Sequence, residues 1–229
     1  MLSVNAINIA YGHAKVLHNV SLNLQQGEVV FIAGRNGAGK TTLLKSIAGF
    51  LRPTDGSIVF DNTDITGLAP EERALDGVRY VFQDKRVFTN LTVKENLELA
   101  AYPVKAKMSE VLEQIISLYP KIKQFLGSPA GSLSGGQRQI LLISRALIGE
   151  PRLLLIDEPT EGLAAGTIND ILQVLNQMKG RVSTLIVEQN LSVVGMLADR
   201  VYIMQEGKII REIRVKEDIQ DRKKIEGYL

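Results

Sequence analysis

The stretch Gly34-Arg35-Asn36-Gly37-Ala38-Gly39-Lys40-Thr41-Thr42 decides the fold of this chain. It follows the apolar run of residues 29–33 and opens into residues 43–48, which have a helical composition. A strand, a glycine loop and a helix in this order, with the spacing G-x-x-x-x-G-K-[ST], are typical of a phosphate-binding loop. Glycines let backbone N–H groups turn inward onto an anion, and the helix N-terminus adds positive potential. The pattern predicts that Lys40 reaches the β- and γ-phosphates of a nucleoside triphosphate and that the Thr41 hydroxyl coordinates Mg²⁺.

The composition is that of a globular protein. The chain has 229 residues, of which 45% are hydrophobic and none is cysteine, so it can form one large domain or two small ones. Its 27 basic and 25 acidic residues are well mixed, which gives no indication of a nucleic-acid partner. No apolar stretch approaches the roughly 18 residues of a membrane span, and the N-terminus lacks the pattern of a signal peptide. We therefore expect a soluble cytoplasmic chain.

The N-terminal part, residues 2–24, is predicted to form strands and turns. Val20, Leu22 and Leu24 alternate with polar residues, which is the period of a half-buried strand. The dipeptide Tyr11-Gly12 lies just before this strand. On local grounds Tyr11 fits a surface turn as well as it fits an aromatic ring stacked on a purine base.

A helical insertion is predicted between two sheet-forming parts, from residue 84 to about residue 148. Before it, residues 77–82 indicate a strand that ends at Gln83. Within it, Thr92 and Glu95 have the spacing of a capping box, which predicts a helix start, and apolar residues recur at helical spacing over residues 108–119. The loop that precedes this helix start contains the apolar residues Val87 and Phe88.

A second glycine loop closes the insertion, Leu133-Ser134-Gly135-Gly136-Gln137, and leads directly into a predicted helix over residues 138–147. A serine hydroxyl, two glycines and a helix N-terminus have the chemistry of another anion-binding site. One nucleotide does not require two such sites in one chain, so this loop is an unexplained feature of the sequence taken alone.

The apolar run Leu153–Ile156 ends in two adjacent carboxylates, Asp157 and Glu158. Alternation along a strand predicts that these side chains point to opposite sides. We expect Asp157 to organise the Mg²⁺ shell and Glu158 to polarise the attacking water. Further along, the sequence predicts an amphipathic helix, a buried strand followed by Gln189, a hairpin and a charged helical tail, over residues 167–179, 183–187, 201–213 and 216–229.

Nearly the whole chain resembles the ATP-binding subunit of an ABC transporter. The phosphate loop, Gln83, the Ser134 loop and the pair Asp157-Glu158 occur in the order and spacing of that family. Within it, residues 86–93, 159–164 and 187–190 are similar to importer ATPases for branched-chain amino acids and to their relatives for urea and short amides. The resemblance implies an α/β fold with the P-loop NTPase core of the ABC ATPase type, an N-terminal antiparallel β subdomain and an inserted α-helical subdomain. Residues 1–83 and 149–229 would form the core and residues 84–148 the helical subdomain of a single domain.

The resemblance also implies ATP and Mg²⁺ as cofactors and a head-to-tail pair of ATPase subunits, either identical or different. Each ATP would lie between the phosphate loop of one subunit and the Ser134–Gln137 loop of the other, which explains two anion sites in one chain. Tyr11 matches the family's adenine-stacking aromatic residue, and Gln83 matches the glutamine that senses Mg²⁺ and the attacking water. We therefore expect catalytic roles for Lys40, Gln83, Glu158 and Gln189. We expect metal contacts from Thr41, Gln83 and Asp157. The expected ATP contacts are Tyr11, Gly34, Arg35, Asn36, Gly37, Ala38, Gly39, Lys40, Thr41, Thr42, Ser134, Gly135, Gly136 and Gln137.

The same resemblance implies that the helical insertion receives transmembrane permease subunits, so that the chain lies peripherally on the cytoplasmic face of the membrane. Two positions depart from the wider family: Ala164 replaces a frequent aspartate, and Gln189 replaces a frequent histidine. A GTPase would need the tetrapeptide N-K-x-D, which is absent. Two alternatives stay open: an importer ATPase for urea or short amides, and a non-transport ABC ATPase that acts on soluble partners.

Overall fold

The computed structural model describes all 229 residues, which form two β-sheets and nine α-helices. The strands are β1 (Leu2–Tyr11), β2 (Ala14–Leu24), β3 (Val29–Ala33), β4 (Asp55–Phe60), β5 (Thr63–Asp64), β6 (Val78–Val81), β7 (Leu153–Asp157), β8 (Ser183–Glu188), β9 (Arg200–Gln205) and β10 (Lys208–Ile213). The α-helices are α1 (Lys40–Ile47), α2 (Pro70–Leu75), α3 (Val93–Ala101), α4 (Met108–Leu118), α5 (Gly135–Leu147), α6 (Ala165–Met178), α7 (Leu191–Leu197), α8 (Lys216–Gln220) and α9 (Arg222–Glu226).

The larger sheet has the strand order β10-β9-β3-β8-β7-β6, and only β10 runs antiparallel to its neighbour. Both of its faces are buried. In β3, Val30 and Ile32 join a hydrophobic cluster with α1 and the smaller sheet, whereas Phe31 and Ala33 join a cluster with the remaining helices. Burial on both faces explains why the strands of this sheet are continuous apolar runs in the sequence.

The smaller sheet is antiparallel, with the order β2-β1-β4-β5. Its inward residues, including Val4, Leu22 and Ile58, pack toward the larger sheet and are almost fully buried. The predicted N-terminal antiparallel subdomain beside a P-loop core is thereby confirmed.

Helices α3, α4 and α5 lie between β6 and β7 in the chain. The predicted capping box is present at the start of α3, where the Thr92 hydroxyl accepts from the Glu95 N–H at 3.1 Å. Helix α5 begins earlier than the predicted residue 138, because Ser134 and Gln137 form a second capping box and bring Gly135 into the helix. The subdomain boundaries at residues 84 and 148 stay a prediction.

The C-terminal tail also differs from the single helix that the sequence suggests. It forms two short helices, α8 and α9, separated at Asp221, whose side chain caps α9 by accepting from the Lys224 N–H. Ile219 and Ile225 anchor the two helices in the core. No helix of the structure combines the length and the apolar content that crossing a bilayer requires.

The carboxyl ends of β3, β6, β7 and β8 lie at one edge of the larger sheet, because these strands are parallel. The phosphate loop, Glu158 and Gln189 directly follow β3, β7 and β8, and Gln83 lies two residues beyond β6. In open α/β sheets ligands bind in the crevice outside the carboxyl ends of the strands. The topology therefore places these predicted site residues at the edge where a ligand site is expected.

Candidate active site

The phosphate loop joins β3 to α1 and encloses the side chain of Lys40. Gly39 is the N-cap residue of α1 and has φ 100°, a conformation that favours glycine. Lys40 is only 4% exposed. Its Nζ donates to the carbonyls of Gly34 and Arg35 at 2.9 and 3.1 Å and lies 3.6 Å from Glu158 Oε1. The positive charge of this lysine is thus held inside the loop, between the loop backbone and the Glu158 carboxylate.

Thr41 and Asp157 bring two oxygen donors together. The Thr41 hydroxyl donates to Asp157 Oδ1 at 3.1 Å, and Asp157 is 1% exposed and makes no salt bridge. Burial raises the pKa of Asp157, while hydrogen bonds from the hydroxyls of Tyr80 and Thr41 act in the opposite direction. A hydroxyl beside a carboxylate is a ligand set that suits Mg²⁺, which is bound by one or two carboxylates together with substrate phosphates. The residues present therefore fit the predicted metal.

The side chain of Glu158 is the point at which four segments meet. Its Oε2 accepts from Gln83 Nε2 at 3.0 Å and its Oε1 accepts from Gln189 Nε2 at 2.7 Å. With Lys40, three polar side chains from three different loops thus surround one carboxylate that is 5% exposed. The carboxylate of Glu158 is thereby fixed beside the lysine of the phosphate loop.

The structure separates the side chains of Asp157 and Glu158 in a different way from the strand alternation on which the prediction relied. Glu158 lies one residue beyond β7 and has φ 47°, in the left-handed region. Non-glycine residues in this region are uncommon and are found at functional sites. The turn of the backbone at Glu158, and not the alternation of the strand, separates its side chain from that of Asp157.

Gln83 and Gln189 are connected beyond Glu158. Gln83 Nε2 also donates to Glu161 Oε2 at 2.9 Å, and Gln189 Nε2 also donates to Asn36 Oδ1 at 2.5 Å. The second contact links the loop after β8 to the phosphate loop. Four of the predicted catalytic and metal-binding positions, those at 40, 83, 158 and 189, are therefore joined in one network of contacts.

Two predicted parts of the site lie outside this network. Tyr11 is the last residue of β1, next to the turn to β2, and is 50% exposed. Ser134 caps α5. Its side chain accepts from the Gln137 N–H, and its own N–H donates to Gln137 Oε1, in the first turn of the helix. A Cβ on Gly136 would lie 2.1 Å from Thr167 Cγ2, so this glycine is required by close packing against α6. Tyr11 and Ser134 are both exposed to solvent, so a ligand or a partner can contact them.

Two residues that contact the site, Glu188 and Tyr80, were missed by the sequence analysis. Glu188, 2% exposed at the end of β8, accepts from the N–H groups of Gln189 and Asn190 and from the Thr160 hydroxyl. Its place at the carboxyl end of a buried parallel strand is a signal that could have found it. Tyr80 donates to Asp157 Oδ2 at 2.9 Å, and burial raises the pKa of its phenol. Nothing in the sequence near Tyr80 indicates this contact.

The site consists of a glycine loop that encloses a lysine at the end of a parallel strand, with a Thr–Asp pair and a second carboxylate beside it. This combination defines a phosphate-loop nucleoside triphosphatase. The sequence profile of the ABC transporter family matches residues 17–161. The chain belongs to this family and is an ATPase of the ABC type.

Similar proteins cover nearly the whole chain. It is 36% identical over 212 residues to the high-affinity branched-chain amino acid transport ATP-binding protein BraG of Pseudomonas aeruginosa, covering 92% of this chain and 91% of that protein. It is 34% identical over 239 residues to the probable branched-chain amino acid transport ATP-binding protein LivG of Methanocaldococcus jannaschii, covering 96% and 93%.

Solved structures show the same fold. The ADP conformation of MJ1267, an ATP-binding cassette of an ABC transporter, superposes with a TM-score of 0.85 at 33% identity, over 100% of this chain and 98% of that one. The dimeric post-hydrolysis state of the cassette MJ0796, bound to ADP and Pi, gives a TM-score of 0.82 at 26% identity, over 93% of this chain and 98% of that one.

Proposed function

We propose that this chain, paired with a second ATPase subunit, binds Mg²⁺–ATP. Hydrolysis of this ATP powers an importer for branched-chain amino acids. The observation that carries the catalytic part is the convergence of Lys40, Gln83 and Gln189 on the buried carboxylate of Glu158. A general base has to be held within hydrogen-bond reach of the proton that it abstracts. The contacts from three loops fix this carboxylate beside the phosphate loop, where the attacking water would bind.

Each residue of the network has a defined task in this proposal. Lys40 and the N–H groups of the phosphate loop bind the phosphates, and Thr41 and Asp157 hold Mg²⁺ beside them. The metal ion, when bound, neutralises the charge that develops on the phosphates. Glu158 accepts the proton of the attacking water, and the amide groups of Gln83 and Gln189 keep its two oxygens in place. Positioning and electrostatic stabilisation provide most of the acceleration in phosphoryl transfer.

The second subunit completes the site. The N-terminus of α5 is open to solvent at Ser134 and Gly135, and a helix N-terminus favours an anion. In the proposed head-to-tail pair, this loop binds the γ-phosphate that is held by the phosphate loop of the other subunit, and Tyr11 stacks on the adenine. The dimeric cassette bound to ADP and Pi supports a pair of this kind. Whether the second subunit is identical or related does not change this arrangement.

The proposed solute rests on the relatives. BraG and LivG are named for branched-chain amino acid transport, and three stretches of this sequence resemble that subgroup. Urea and short amides are the alternative solutes, and a non-transport ABC ATPase is the alternative class. Copurification of the tagged chain with detergent-solubilised membrane subunits separates the classes: we expect permease subunits in the complex, and a complex with soluble proteins alone would favour the non-transport class.

The proposed permease contact is a groove of about 470 Å³ at the edge of the helical region. Phe82, Arg86 and Arg145 line it. Phe88 is 51% exposed, and the Arg145 guanidinium lies 5.1 Å from its ring centroid. An exposed aromatic ring at a groove is typical of a protein-binding surface. The chain would dock here on the cytoplasmic face of the membrane as a peripheral subunit.

We expect Phe88→Asp to lower ATP-driven uptake by at least tenfold, because a carboxylate cannot be buried against an apolar partner without a large desolvation cost. ATP binding by the isolated chain should remain within twofold of wild type. Met196→Asp is the matched control, since Met196 is 68% exposed on α7, whereas Phe88 packs against Arg145, which lines the groove. Equal uptake by the two variants would mean that Phe88 is not at the permease contact.

Gln189 allows a test of how the site works without the histidine that is frequent at this position. Its amide donates to Glu158 and Asn36 and has no titration near neutral pH. We expect Gln189→Ala to lower turnover in the assembled transporter by about tenfold, and Gln189→His, which retains a donor, to stay active. Wild-type hydrolysis and transport by the alanine variant would leave Gln189 with a packing role only.

A further inference from the structure

Tyr80, on β6, has one end at the proposed metal site and its ring at the proposed permease groove. We propose that Tyr80 is a positioning residue that holds the Asp157 carboxylate in its orientation and connects it mechanically to the groove surface. The first part of this inference, the orientation of Asp157, rests on the proposed metal site. The second part, the connection to the groove, rests on the proposed permease contact.

The orientation of the Asp157 carboxylate is set by two hydroxyl groups. The Tyr80 hydroxyl donates to Oδ2 at 2.9 Å, and the Thr41 hydroxyl donates to Oδ1 at 3.1 Å. Asp157 is almost fully buried, so solvent does not replace either contact. Groups that hydrogen-bond to a metal ligand from behind orient it, and their loss lowers metal affinity by about 10–100-fold. Since Thr41 is itself expected to bind the metal, Tyr80 is the partner left to hold the carboxylate when Thr41 turns to the ion.

The ring of Tyr80 belongs to a cluster of three aromatic rings. It packs edge-on against Phe82 with the centroids 4.3 Å apart, and Phe50 lies 5.9 Å from Tyr80 and 5.3 Å from Phe82. Phe50 and Phe82 remain 47% and 39% exposed, and Tyr80 and Phe82 both line the groove.

This cluster gives a physical route from the groove to Asp157. Aromatic rings are rigid and are closely packed in the cluster, so a partner that displaces Phe82 also displaces the Tyr80 ring. The hydroxyl is fixed to that ring, and the strength of a hydrogen bond falls steeply as its distance and angle change. Binding of the partner in the groove therefore alters how firmly the carboxylate of Asp157 is held.

The test measures binding of Mn²⁺, as a spectroscopic substitute for Mg²⁺, to the full chain saturated with ADP. The electron paramagnetic resonance signal of free Mn²⁺ gives the affinity without any turnover. Tyr80→Phe removes only the hydroxyl and keeps the ring cluster. We expect the Kd for Mn²⁺ to rise by about 10–100-fold, with ADP affinity in the absence of metal unchanged.

Tyr119→Phe is the matched control. Its hydroxyl also donates to a carboxylate, Asp170 Oδ2 at 3.1 Å, and its ring also packs on a phenylalanine, but it lies outside the site. The control separates general effects of losing a tyrosine–aspartate bond from an effect on the metal. We expect it to bind Mn²⁺ within twofold of wild type.

The outcomes distinguish this inference from the proposed function. Equal Mn²⁺ affinity of wild type and Tyr80→Phe overturns the role of Tyr80 and leaves the metal site intact. If the wild-type chain shows no nucleotide-dependent Mn²⁺ binding, the proposed metal site and the role of Tyr80 both fail. Phe82→Leu tests the ring cluster, because Phe82 both lines the groove and packs on Tyr80: we expect a rise in Kd of about threefold to tenfold, and no rise would overturn the mechanical connection to the groove.

Discussion

Glu158→Gln is expected to slow ATP turnover by about 10²–10⁴-fold, which is the usual contribution of a general base. Glutamine has nearly the same shape as glutamate but cannot accept the proton of the attacking water at neutral pH. Gln83 and Gln189 donate to different oxygens of Glu158, so one of them keeps its contact with the amide oxygen of the variant. The other can turn its own amide so that its oxygen accepts from the new NH2 group, and the architecture of the site should persist. ATP affinity should stay within about threefold of wild type, and an ATP-bound dimer should accumulate.

Single-turnover hydrolysis and size-exclusion chromatography in the presence of ATP measure these two effects. Glu161→Gln is the matched control, because Glu161 also accepts from Gln83 but lies on the exposed loop after Glu158. We expect the control to change turnover by less than about threefold. Near-normal hydrolysis by Glu158→Gln would remove Glu158 from the role of base.

Lys40→Ala is expected to weaken ATP binding itself, by about 100-fold or more. Charge-assisted hydrogen bonds contribute about 1.5–3 kcal/mol each, and about 1.4 kcal/mol corresponds to a factor of ten in affinity. Part of the binding free energy that Lys40 contributes is offset in the wild type, because Lys40 has to leave the carbonyls of Gly34 and Arg35 in order to reach the phosphates. A net loss of about 3 kcal/mol therefore corresponds to about two orders of magnitude.

Calorimetric titration with ATP measures this loss, and thermal unfolding shows whether the variant remains folded. Lys121→Ala is a control for the loss of one positive charge, since Lys121 forms an exposed salt bridge with Asp170 outside the site, and such pairs contribute little to stability. Unchanged ATP affinity of a folded Lys40→Ala variant would refute the assignment of the phosphate loop.

The features that could be predicted from the sequence are those with local physical requirements. The spacing of Gly34, Gly39 and Lys40 implies the wrapped loop, since few other residues permit it. The alternation of Val20, Leu22 and Leu24 and the unbroken run of residues 153–156 indicate which strands have one buried face and which have two. The helix start at Thr92 rests on a capping box formed within four residues. Ser134 and Gln137 have the same spacing, although the predicted start of that helix is three residues too late.

The features that could not be predicted depend on contacts between distant residues. Tyr80 and Asp157 are 77 positions apart in the chain, and only the pairing of β6 with β7 brings them together. The left-handed backbone at Glu158 is imposed by its surroundings, because glutamate has no preference for it. The same holds for the meeting of Gln83 and Gln189 on the carboxylate of Glu158, which requires that β6, β7 and β8 lie side by side.

The measurement that tests the central claim most directly is ATP-driven uptake of radiolabelled leucine into proteoliposomes that contain this chain and the membrane subunits with which it copurifies. We predict uptake that requires ATP and that falls to background when the chain carries Glu158→Gln. Uptake that is absent, that proceeds equally with ADP, or that continues at the wild-type rate with Glu158→Gln would contradict the claim that hydrolysis at this site powers the import of branched-chain amino acids.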